Sequence, residues 1–123
     1  MKFKTVMSIK AIVCLGFGPL LLFVPAWFLE FLGTSIGPGA AFTARLYGAA
    51  LFGNLLLTWL ARNTNDNTAR RAISWHLCVY DAIGMVVTLS ILIGGGLNPL
   101  GWGIVIIYLF FTIGFGLQLL RKT

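Results

Sequence analysis

A carboxylate stands where a carboxylate is costly to keep. Asp81 lies ten residues beyond Arg71 and is followed by 39 uncharged residues before Arg121. An acid in such apolar surroundings pairs with a cation, anchors a hydrogen-bond network, or serves a ligand or proton. Ser74, Cys78, Asp81, Met85 and Thr88 are spaced by three and four, so on a helix they form one mildly polar stripe. That stripe is expected to face other helices. The partners the sequence offers Asp81 are Arg45, through its long side chain, and Asn54, Tyr47 or Tyr108 as donors.

The remaining polar residues are weighed in the same way. Tyr47, Asn54 and Thr58 are spaced by seven and four and share one helix face, either as a hydrogen-bonding seam between helices or as part of a binding site. Arg45 has two readings: it meets Glu30 or snorkels at the outer interface, or it pairs with Asp81 or an anionic group. Ligand-binding expectations therefore fall on Asp81, Asn54, Arg45 and Tyr47.

His76 is the single histidine. One imidazole supplies one axial bond to a haem or pigment, but a second axial histidine is missing, and a hydrogen-bonded ring near the inner interface is the plainer reading. Cys14 and Cys78 form no C-x-x-C pair and read as small packing residues. One histidine and no cluster of carboxylates make no metal site. Neither a cofactor nor a metal is expected. No nucleophile and base stand in a catalytic arrangement, so no catalytic residue is assigned.

The elements that must position these residues follow from composition. The 123 residues are 59% hydrophobic and 10% charged, against roughly 45–50% and about 25% in soluble domains. This much apolar side chain cannot be wrapped in water by so little polar surface. A net charge of +6 raises the question of nucleic acid. The basic residues, however, form small groups between apolar runs and build no cationic stripe, as loops beside membrane spans do.

Nineteen uncharged residues separate Lys10 from Glu30. The longer run after Asp81 exceeds one span and breaks at Gly94-Gly95-Gly96-Leu97-Asn98-Pro99. The sequence thus predicts one domain, residues 1–123, with spans at about 6–29, 41–61, 70–93 and 99–120. Short connectors around Gly33 to Gly39 and Asn63 to Thr68 favour antiparallel neighbours. The expected fold is an all-α membrane protein, an up-down four-helix transmembrane bundle. Gly16-Phe17-Gly18-Pro19 and Pro25 are expected kinks in the first span.

Lys2, Lys4, Lys10, Arg62, Arg70, Arg71, Arg121 and Lys122 all fall on one side of this scheme, and only Arg45 lies toward the other. Both termini are therefore expected in the cytoplasm. Trp27, Trp59, Trp75 and Trp102 fall near span ends, where an aromatic belt sits. The first span is too long for a signal-peptide core and shows no small-residue cleavage pattern, so it reads as uncleaved. Ala44 with Gly48 and Ala49 with Gly53 are small-xxx-small pairs that allow close helix approach.

Arg45-Leu46-Tyr47-Gly48-Ala49-Ala50, Gly53-Asn54, Arg70-Arg71-Ala72, Asp81-Ala82-Ile83-Gly84 and Gly101-Trp102 together resemble small, uncharacterised, DoxX-like four-span proteins of bacteria. The resemblance implies the fold and a bacterial inner membrane, and implies no established activity. Small multidrug exporters fit less well, since the first span has no carboxylate between Lys10 and Glu30. Fluoride channels place the Arg and Asn on different helices, whereas Arg45 and Asn54 share one.

Three functions from different classes remain at this level. The chain binds or transports a lipophilic or small polar ligand through an intramembrane polar site, or it is a non-catalytic accessory subunit of a larger membrane complex. A membrane enzyme ranks last. The expected partners are the lipid bilayer and a second copy of the chain or another membrane protein, with no nucleic acid.

Overall fold

A computed structural model describes residues 2–34 and 37–120. Ser35 and Ile36 of the first connector, and Arg121 and Lys122, which enter the charge count above, lie outside the described residues. Helices are the sole regular elements among the described residues: α1 (Phe3–Phe23), α2 (Pro25–Phe31), α3 (Pro38–Ala61), α4 (Asn67–Ile93) and α5 (Gly101–Leu120). Four of these, α1, α3, α4 and α5, are long and apolar enough to cross a membrane.

The helix ends follow local chemistry. Pro25 removes a donor and disfavours helical backbone at the residue before it. Val24 accordingly leaves the helix at φ −133° and ψ 54°, and the expected first span divides into α1 and the seven-residue α2. Pro19, by contrast, sits inside an α1 that continues through it. Pro38 starts α3 in the first turn, where a missing N–H is harmless, three residues before the expected start. Asp66 caps α4 by accepting from the Thr68 amide at 3.1 Å, which also moves that helix start forward by three residues. The last helix starts two residues later than expected. The Asn98 side chain takes the Leu100 amide at 3.0 Å, and i to i+3 bonds carry the chain into α5.

Helices pair as two antiparallel hairpins, α1 with α3 and α4 with α5, joined mainly through α1 and α5. Gly48 makes the first hairpin close: a Cβ there would stand 2.7 Å from the Leu22 amide nitrogen and 3.0 Å from the Gly18 carbonyl oxygen. Along the second hairpin Arg71 donates to the Leu119 carbonyl, Cys78 to the Thr112 carbonyl, and Gly84 faces the Tyr108 ring. The sequential pair α3 and α4 is not a packed hairpin, although the short link between them suggests one.

At the end away from Lys2 the two hairpins are tied by backbone. Gly33 at φ +90° closes α2, with the Thr34 amide donating to the Leu29 carbonyl. Gly95 at φ +83° closes α4 in the same manner, the Gly96 amide reaching the Ile91 carbonyl. The Asn98 amide then donates to the Leu32 carbonyl at 2.8 Å, and its side chain donates to the Phe31 carbonyl at 2.9 Å.

Two apolar clusters fill the interior. One contains Phe3, Val6, Met7, Leu77, Phe111 and Phe115; the other contains Cys14, Leu21, Phe28, Leu32 and Leu51. Between Met7 and Cys14 on α1 stands Lys10, so a polar layer divides the core. The outer faces carry large exposed apolar residues, including Ile12, Phe42, Leu60, Ile83 and Ile106. Lipid, not water, is the solvent that suits such a surface.

Candidate functional site

Asp81 is fully buried, and its cation is Lys10: Nζ and Oδ1 are 2.7 Å apart, with the lysine side chain 4% exposed. This corrects two expectations. Lys10 is a buried residue of α1 and not a flanking cytoplasmic charge, and none of Arg45, Asn54, Tyr47 or Tyr108 is hydrogen-bonded to Asp81. The ammonium also lies 4.7 Å from the Phe111 ring centroid and 5.3 Å from that of Tyr80. A carboxylate and two aromatic faces thus replace the water that a lysine normally keeps. Asp81 Oδ2 and Ser74 Oγ are buried without a hydrogen-bond partner among the described residues.

The sequence holds a signal for Lys10 that the charge count hides. Phe3, Met7, Lys10, Cys14 and Leu21 recur at helical spacing and are all buried. The stripe that carries the core of α1 therefore carries its lysine inward, to the side where α4 presents Asp81.

A second polar contact lies beside the first. Tyr47 of α3 and Tyr108 of α5 bring their hydroxyls within 2.5 Å, and the Tyr47 ring stacks with the Tyr80 ring of α4 at 6.5 Å. Gly84 leaves room for this arrangement, since a Cβ there would fall 2.7 Å from the Tyr108 ring. Tyr47 of the predicted set thus belongs to the polar layer, through Tyr108 and not through Asp81.

Arg45 and Asn54 do not. Two residues from Tyr47 is about 200° around a helix, so an inward Tyr47 turns Arg45 outward, where it is exposed. Arg45 makes no ion pair with Glu30 or Asp81 among the described residues. Asn54 is half-buried; its carbonyl accepts from Thr58 at 2.7 Å and its side chain makes no hydrogen bond among the described residues. His76 is exposed and stacks on Tyr80 at 6.1 Å. The cysteines are free, and no group of three metal-ligating side chains occurs among the described residues.

Next to the polar layer the two hairpins part and leave between them a partly open cavity of about 350 Å³. Lys10, Tyr47 and Tyr108 line one stretch of it, apolar residues such as Phe17, Leu21, Leu51 and Ile104 line most of the rest, and Thr34, Gly96 and Leu97 stand toward the tied end. Its size and its few convergent polar groups fit a small-molecule site. Asp81, Asn54 and Arg45 are not on its wall.

Comparison with protein families, with curated proteins and with solved structures finds no match for this chain.

Proposed function

We propose that this protein is a four-span component of a bacterial inner membrane, with both termini in the cytoplasm, that binds a lipophilic small molecule within the bilayer. The observation that supports the reading is the cavity: apolar along most of its length, and polar where Lys10, Tyr47 and Tyr108 meet it. Buried ionisable groups in a membrane are costly, and an ion pair beside a cavity has a use in orienting what enters it. Asp81 acts through Lys10, holding the ammonium at the cavity wall. Hydrocarbon-rich ligands reach such a site from the surrounding lipid, consistent with the exposed apolar faces of every long helix.

The test is chemical. Protein purified in mild detergent is extracted with organic solvent, and the extract is compared by mass spectrometry with protein-free micelles from the same membranes. A lipophile enriched with the protein, and lost when Ala44 on the cavity wall is replaced in Ala44→Trp, is the expected result. No enriched species, or equal retention by a folded Ala44→Trp variant, would overturn the reading.

A further inference from the structure

The cavity offers its occupant a lopsided set of polar atoms. Tyr47 and Tyr108 share one hydrogen bond at 2.5 Å, and Tyr80 stacks against Tyr47. Two hydroxyls joined by one hydrogen bond keep one O–H between them to give, and the buried Tyr80 hydroxyl, without a partner among the described residues, lies off the cavity wall. Tyr47 and Tyr108 both stand on the cavity wall. Thr88, also on the wall, has already given its proton to the Gly84 carbonyl at 2.7 Å. No carboxylate lines the cavity.

Charge narrows the occupant further. Lys10 and Asp81 neutralise one another across 2.7 Å. An anionic head group would have to share the single Lys10 ammonium with a fully buried Asp81, leaving one buried negative charge without a counter-ion. A cationic head group would face the Lys10 ammonium across the same wall. An uncharged acceptor meets neither penalty. We infer that, on the lipophile-binding reading above, the ligand is an uncharged lipophile bearing a hydrogen-bond acceptor of the ketone or ester carbonyl kind. The Tyr47 and Tyr108 hydroxyl pair receives that oxygen, and the apolar walls toward Thr34 and Leu97 take the hydrocarbon.

Equilibrium dialysis of the full chain in detergent micelles, with protein-free micelles subtracted, tests this using four probes of equal length: undecane, 2-undecanone, undecanoate and undecylamine. The ketone is expected to bind at least tenfold more tightly than undecane, and neither charged probe more tightly than undecane. In the double variant Tyr47→Phe, Tyr108→Phe the tenfold preference for the ketone over undecane is lost, and continued undecane binding reports that the cavity is still formed. Equal binding of ketone and undecane overturns the inference and leaves the lipophile reading standing. Tighter binding of undecanoate or undecylamine than of the ketone also overturns it, as does a ketone preference that survives the double variant. Failure of all four probes removes the lipophile reading and this inference together.

Discussion

Lys10 and Asp81 were made legible by the sequence to different degrees, and the reason is physical. An acid ten residues inside a span has nowhere polar to go, so Asp81 points to itself. A lysine near the start of a span reads as a flank, because lysines usually reach the interface along their own side chains. Only the burial stripe of α1 turns Lys10 inward. The pair carries a definite expectation for stability. Removing one member leaves the other buried and uncompensated, at a cost of about 3–5 kcal/mol, whereas replacing both by apolar groups is often neutral or better. Lys10→Met and Asp81→Leu should therefore each lower thermal stability strongly in the purified protein, and the double variant should recover most of the loss. Additive losses in that cycle would show that the two charges do not depend on each other.

At the scale of elements, the four long apolar helices were legible because span length acts locally, whereas Pro25, read as a kink within the first span, ends α1 and starts a separate helix. Helix starts moved where a cap or turn decided them: Asp66 extends α4 forward, and the Asn98 turn delays α5. Which small residues matter was not legible. Gly48 and Gly53 look alike in sequence, yet a Cβ on Gly48 would collide with the backbone of α1, while one on Gly53 would meet nothing within 4 Å. Gly48→Ala should thus cost about 1–3 kcal/mol by forcing α1 and α3 apart. Gly53→Ala, inside α3 with open space for its Cβ, should melt no lower than the unmodified protein; a parallel thermal unfolding series in detergent reads both. Gly84→Ala should displace the Tyr108 ring, and tighter or unchanged binding of 2-undecanone in that variant would count against the tyrosine pair as the ligand's receiver.

For the whole molecule, the sequence conveyed the solvent and not the pairing. A largely apolar chain with scattered charges requires lipid, but short connectors point to packing between consecutive spans, which α3 and α4 do not follow. The α3 to α4 link is short and yet joins separate hairpins, and the space between those hairpins is the cavity. The grouping of Lys2, Lys4, Arg62, Arg70 and Arg71 at one end carries the proposed topology. Reporter tags at the two termini should both signal the cytoplasm, and signals from opposite compartments would overturn that topology.

The most direct test of the central claim is an experimental structure of the protein taken from its own membranes in mild detergent, at a resolution that shows small molecules. The account expects elongated density in the cavity, running from the Tyr47 and Tyr108 hydroxyls toward Thr34 and Leu97, with Lys10 still on Asp81. A cavity filled by protein side chains, or Lys10 and Asp81 standing apart and each hydrated, would contradict it.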